Sequence, residues 1–227
     1  MRKLITNIVG AVSMVLFVIA FYMAFLFAPT EQTMGHVQRI FYFHVSFAWV
    51  SFIAFFVTFA ASIVYLKTRK RFWDIVAASS VELGIAFCCI ILTTGPIWAR
   101  PVWGAFWTWD PRLVTTLILL FIYMAYLMLR GAIDEETKRA KFSAVLGIIG
   151  FLDVPIVYRS VDWWSRTIHP NVIKKGNIAL HPNMLMSLRV ALLAVTLFYF
   201  FLLFRRIRLE ELRDEVKELR KKILKEH

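Results

Sequence analysis

Residues 98–112 read Trp98-Ala-Arg100-Pro-Val-Trp103-Gly104-Ala-Phe106-Trp107-Thr-Trp109-Asp110-Pro-Arg112, with four tryptophans and a phenylalanine in fifteen positions. An indole ring suits the headgroup zone of any bilayer, which accounts for one or two of them. It accounts poorly for Trp103, Trp107 and Trp109 gathered around Gly104, with an acid and a base close behind. Phe106, Trp107 and Trp109 together make a broad apolar platform for a large flat ligand. Arg100 and Arg112 are spaced to meet ligand carboxylates. The remaining chemistry-bearing groups are histidines: His36, His44, His169 and His181 flank this segment, and His227 ends the chain.

The elements that position these residues are membrane spans. The chain is 59% hydrophobic over 227 residues, with a mean hydropathy of +0.65, beyond the range of ordinary soluble domains. Six stretches are long and apolar enough to cross a hydrocarbon core of about 30 Å. They run roughly over 4–28, 40–66, 75–98, 113–129, 142–158 and 183–204. The predicted fold class is therefore an all-α integral membrane protein with six transmembrane helices. A signal peptide is the competing reading of the first stretch. Its apolar run is too long for one and ends at Phe27-Ala28-Pro29 without a small-residue cleavage site, so it is expected to be retained.

A net charge of +12 would point to nucleic acid in a soluble protein. Here its distribution points to topology. Two basic residues lie at the N-terminus, four in Lys67–Arg71, four in Arg130–Lys141 and nine from Arg205 onward. The positive-inside rule then places both termini in the cytoplasm, with a lipid bilayer and no nucleic acid as partner. Residues 29–39, 99–112 and 159–182 become outer loops. His36, His169 and His181 lie in or beside them, with His44 at the mouth of the second span.

The chain divides into a six-helix transmembrane domain, residues 1–204, and a charged cytoplasmic helical tail, 205–227. In the tail Leu209, Leu212, Val216, Leu219 and Ile223 alternate at spacings of three and four, an a/d-like stripe. Glu210–Arg213, Asp214–Lys217 and Glu218–Lys221 stand at i,i+3 and support a helix. Cys88 and Cys89 are adjacent within the third span and fit neither a CxxC redox pair nor a zinc site, which leaves packing as their role. Glu82 and Asp153 fall inside spans, where a lone charge costs at least about 2.5 kcal/mol, so each needs a partner or a proton. Asp153 precedes Pro155 and is placed to serve backbone groups freed by a kink. No P-loop or other nucleotide cradle is visible.

The segment Trp103-Gly104-x-Phe106-Trp107-x-Trp109-Asp110 resembles the WWD motif of the haem-handling membrane proteins of cytochrome c biogenesis. Length, six spans and flanking segments are similar to those of the short members of that family. The resemblance extends from about Thr30 to Phe204. It includes Arg39-Ile-Phe-Tyr-Phe-His44-Val before the motif and Ser160-Val-Asp-Trp163-Trp164-Ser-Arg-Thr-Ile-His169 after it. It implies haem b, held transiently and without covalent attachment at the outer face of the bacterial cytoplasmic (inner) membrane. His44 and His169 would be its axial ligands, and the WWD loop (Trp103, Phe106, Trp107, Trp109, Asp110) its platform. Arg39 and Arg112 are candidates to pair with the propionates, and Trp163 and Trp164 to cover the ring near His169. A salt bridge to Asp110 at a helix start is the competing role of Arg112. His36 and His181 match no ligand position, and His181-Pro182-Asn183 reads as the start of the last span.

The resemblance further implies partners: a membrane-anchored haem chaperone, the ATPase and membrane subunits of an ABC-type transporter, and a small membrane subunit. No enzymatic bond chemistry is expected of the chain itself; its work would be to position the porphyrin. Three alternatives remain. A synthetase-type WWD protein (a haem lyase) would need more spans and outer domains. A quinone-linked haem b subunit would want histidine pairs deep within spans. A non-haem membrane transporter would use the aromatic rings to gate a pore.

Overall fold

The computed structural model describes residues 2–164, 173–174, 177–178 and 180–226. Among them, six helical stretches are long and apolar enough to span a bilayer, as the hydropathy predicts. Helix α1 (Arg2–Tyr22) runs into a π-helical turn at Met23–Phe27. A short 3-10 turn at His36–Arg39 leads into α2 (Ile40–Thr68), followed by α3 (Arg71–Trp103) and α4 (Pro111–Ala132). The fifth span is two helices, α5 (Glu136–Phe151) and α6 (Asp153–Trp163). A two-residue pairing of β1 (Ile173–Lys174) with β2 (Asn177–Ile178) precedes α7 (Pro182–Glu226).

Local chemistry explains where these helices stop. Ala28 precedes a proline, which disfavours helix, and sits extended at ψ 131° with its N–H on the Met23 carbonyl. The fifth span, expected as one helix over 142–158, breaks at Leu152. Pro155 has no N–H for the Phe151 carbonyl and its ring crowds that position. The Leu152 N–H instead closes a tighter turn onto the Ile149 carbonyl at 3.1 Å. Asp153 begins α6 beside this break, its Oδ2 buried and without a hydrogen-bond partner among the described residues.

Helix α3 is the axis of the bundle: 61% of its most apolar stretch is buried, against 28% in α1 and α4. At Gly84 the bundle closes tightly, because a Cβ there would stand 2.6 Å from the Phe55 ring. Phe55 in turn stacks on Tyr123 of α4, with centroids 3.9 Å apart and planes 3° from parallel. Ser80 of α3 joins α2 and α7, donating to the Ala54 carbonyl (2.7 Å) and meeting the Tyr199 hydroxyl at 2.8 Å. The outward surfaces are apolar along their length, for example Leu4, Val18, Leu26, Phe56, Met128 and Leu152, as lipid contact requires.

Helix α7 carries the sixth span and the tail as one rod of 45 residues, about 68 Å long at 1.5 Å per residue. The expected i,i+3 pairs form at Glu210–Arg213 and Glu218–Lys221, while Asp214 reaches Arg71 of α3 at 3.1 Å. Asp74, 2% exposed, is held by Arg71 and by Arg130 of α4. Glu82 is compensated by Arg206 of α7, with Nη2 donating to Oε1 at 2.8 Å. Both acids of α3 are thus matched across helices. The stripe Leu209, Leu212, Val216, Leu219 and Ile223 is exposed.

Candidate functional site

The loop between α3 and α4 is shaped by its ends. Gly104 closes α3 in the left-handed region at φ 77°, donating its N–H to the Arg100 carbonyl at 3.0 Å, a conformation that favours glycine. Arg100 bonds back to the Gly104 carbonyl and lies over the Phe106 ring, 5.5 Å from its centroid. Trp107 and Trp109 meet edge to face at 6.1 Å. Asp110 is buried and caps α4, its Oδ1 accepting the Arg112 N–H at 3.0 Å, with Pro111 in the first helical position. The loop therefore presents Trp109 (81% exposed) and Phe106 (60%), while Trp103 and Trp107 are half-buried.

His44 lies one turn into α2, half-buried against α3, the helix that leads into this loop. Its Nδ1 is 2.9 Å from the Thr94 hydroxyl, and its ring packs on Trp98 with centroids 5.9 Å apart. A Cβ at Gly95 would stand 3.3 Å from its Cε1. Arg112, at the start of α4, is within electrostatic reach of the imidazole. Its Nη2 donates to the Tyr158 carbonyl at 2.9 Å, which draws the end of α6, with Trp163 and Trp164, toward the same end of the bundle. Both tryptophans are exposed, their centroids 6.4 Å apart.

The sequence-predicted residues thus divide. His44 and Arg112 come within electrostatic reach of each other, and Arg112 joins the WWD loop at Asp110. Arg39 turns to the end of α1, donating to the Ala24 carbonyl at 3.0 Å, freed by the π turn, and to the Phe25 carbonyl, whose helical partner would be Pro29. Arg100 serves the loop itself. Asp110 acts as a helix cap. His36 is exposed, and His181 opens α7 as expected, its Nδ1 accepting the Asn183 N–H at 3.2 Å. His169 lies outside the described residues.

Two residues around His44, Thr94 and Gly95, went unremarked in the sequence, and Trp98 was counted with the tryptophan segment without being tied to His44. The signal available was the small, polar run Thr93-Thr94-Gly95-Pro96 inside an apolar span. Trp98, 5% exposed, lines a cleft of about 290 Å³ with Glu31, Thr33, Met34, Ala99, Val102 and Trp103. The Trp98 Nε1 and the Arg112 Nε are buried without a hydrogen-bond partner among the described residues. Two donors, one imidazole and an exposed aromatic surface at one end of a bundle are a donor set that fits a large, flat, anionic, metal-bearing ligand.

The fold defines a polytopic membrane protein with six helical spans and a tryptophan-rich loop between the third and fourth. Residues 1–222 match the family model "Heme exporter protein C" (CcmC). The chain belongs to the heme exporter protein C family. It is 35% identical over 211 residues to the heme exporter protein C of Bradyrhizobium diazoefficiens, covering 92% of this chain and 80% of that one. The Escherichia coli K12 protein of the same name is 32% identical, over 69% of this chain and 64% of its own. A putative cytochrome c biosynthesis ccmC-like mitochondrial protein of Marchantia polymorpha is 31% identical, over 74% and 72%.

Proposed function

We propose that this protein binds haem at the outer face of the bacterial cytoplasmic membrane and hands it to a membrane-anchored haem chaperone for cytochrome c maturation. The observation that supports the reading is His44, within electrostatic reach of Arg112 and half-buried against Thr94 and Trp98 of the helix that leads into the WWD loop with its exposed Trp109 and Phe106. An imidazole at the rim of an aromatic platform suits an iron porphyrin, with the iron on nitrogen and the macrocycle on the rings. His44 and His169 are the axial ligands. Arg112 has an Nε to spare for a propionate; Arg39 has already committed one guanidinium nitrogen to α1. Trp163 and Trp164 cover the ring from the α6 side. The haem is b-type, cargo held without a covalent bond, and the chain orients it.

In this reading both termini lie in the cytoplasm, which the distribution of basic residues supports, and the WWD loop faces outward. Energy for the process comes from the ATPase of an ABC-type transporter, whose membrane subunits and a small additional membrane subunit complete the assembly.

The test is a reduced-minus-oxidised visible spectrum of the detergent-purified protein beside His44→Ala and His169→Ala. Sharp low-spin bands, lost or moved to high spin in either variant, support bis-histidine haem binding. A wild type that stays colourless when produced with haem precursor and its partner subunits rejects the reading and favours a non-haem transporter. Haem retained unchanged in both variants keeps haem binding and moves the ligands.

A further inference from the structure

We propose that Thr94 is a positioning residue whose hydroxyl oxygen accepts the Nδ1 proton of His44, leaving Nε2 as the ligating nitrogen. The inference rests on the reading of His44 as an axial ligand. Its basis is a count of hydrogens. A threonine hydroxyl has one, and the Thr94 hydroxyl donates it to the Ile90 carbonyl, one turn back in α3, at 2.8 Å. The same oxygen lies 2.9 Å from His44 Nδ1. Both contacts are satisfied at once only if Nδ1 carries the proton and the threonine oxygen accepts it.

A neutral imidazole protonated at Nδ1 has its lone pair on Nε2. Ligating histidines commonly donate their other N–H in this way, which fixes the tautomer, aims the ring and makes the ligating nitrogen more basic. The surroundings of His44 agree with that role. Trp98 packs on the ring at 5.9 Å, and Gly95 offers no side chain where a Cβ would stand 3.3 Å from Cε1. Thr94, Gly95 and Trp98 occupy positions i, i+1 and i+4 of one helix, so a single stretch of α3 holds the imidazole. The Ile90 carbonyl joins the chain of bonds at its far end, and the threonine oxygen is polarised toward the imidazole N–H.

The experiment compares wild type, His44→Ala, Thr94→Val, Thr94→Ser and the His44→Ala/Thr94→Val double variant, all purified in detergent and titrated with haem. Thr94→Val is expected to weaken haem binding about 10- to 100-fold and to raise the reduction potential, because a less basic imidazole stabilises ferric iron less. Thr94→Ser, which keeps the hydroxyl, is expected to match wild type. In the double variant Thr94→Val is expected to add nothing to the loss already caused by His44→Ala. If His44→Ala abolishes the low-spin spectrum while Thr94→Val keeps wild-type affinity and potential, the Thr94 assignment is overturned and His44 stands as ligand. A Thr94→Val loss equally large in the His44→Ala background also overturns it, in favour of a packing role. If His44→Ala itself changes nothing, the ligand reading falls and takes this inference with it. Should Thr94→Val not fold, Thr94→Ala removes the same hydroxyl without the extra methyl groups.

Discussion

Glu82 of α3 and Arg206 of α7, 124 residues apart, meet in a two-point ion pair: Nη2 donates to one carboxylate oxygen and Nε to the other. Neither side chain is free in solvent, at 36% and 22% exposure. Arg206 also bonds Glu210 one turn further along α7. The pair explains how a carboxylate is carried in the third span, and it fastens the last helix to the central one.

Removing one member of that pair leaves a charge in apolar surroundings. Arg206→Ala is expected to destabilise the protein by up to about 2.5 kcal/mol, the cost of an uncompensated charge near the centre of a span. Glu82→Gln in the same background should recover much of the loss, since it removes the orphaned charge. Thermal unfolding in detergent reads both; equal and additive losses would contradict coupling between the two side chains.

Gly84 tests the closeness of α2 and α3. A methyl group there meets the Phe55 ring at 2.6 Å, and Phe55 cannot swing away because it is fully buried and stacked on Tyr123. Gly84→Ala is expected to cost about 1–3 kcal/mol through overpacking. Gly131, whose Cβ would meet nothing within 4 Å, supplies the control: Gly131→Ala should leave the midpoint unchanged or raise it slightly.

For Asp110 the expectation separates capping from ligand contact. Asp110→Ala should lower stability by about 0.5–2 kcal/mol, while Asp110→Asn, which still caps, should retain most of it. If Asp110→Asn keeps both stability and haem affinity, the carboxylate works through α4 and the loop. A loss of haem affinity at full stability in Asp110→Asn would assign it a direct contact.

Gly95 offers a graded probe of His44. The Cβ of Gly95→Ala would press on Cε1 from 3.3 Å, requiring the imidazole to give by a few tenths of an ångström. We expect a folded protein with a shifted or broadened low-spin spectrum. A spectrum identical to wild type would mean that the ring is free to move away.

Much of the architecture was legible in the residues. Apolar length sets the number of spans, because a helix must cover about 30 Å of hydrocarbon and satisfy its own backbone while doing so. His181-Pro182-Asn183 marked the start of α7, and the a/d spacing marked the helical tail, since both signals act within one or two turns. The break in the fifth span was half legible: Pro155 announced a disturbance near Asp153, and the break falls at Leu152, next to the Phe151 carbonyl that Pro155 cannot serve. The site was legible as a motif and less so as a geometry. Asp110 and Arg100 carry the chemistry of ligand contacts, and the fold uses them to cap α4 and to hold the loop. Arg39 is divided in the same way by the carbonyls that the π turn and Pro29 set free after α1.

The sequence by itself determined that the chain is a bundle of six spans, and it marked His44 and the WWD loop as candidates for its chemistry. Span length, charge bias and turn chemistry are properties of contiguous residues, and those can be read in order. Only the tertiary structure decided that Thr94, Gly95 and Trp98 enclose His44, that Glu82 belongs to Arg206 and that Asp74 belongs to Arg71 and Arg130. Most of these partners lie some fifty or more positions apart, and apolar helices of similar composition could meet in many registers. What selects one register is close packing: a glycine where a ring must pass, and a charge that has to find its opposite away from water.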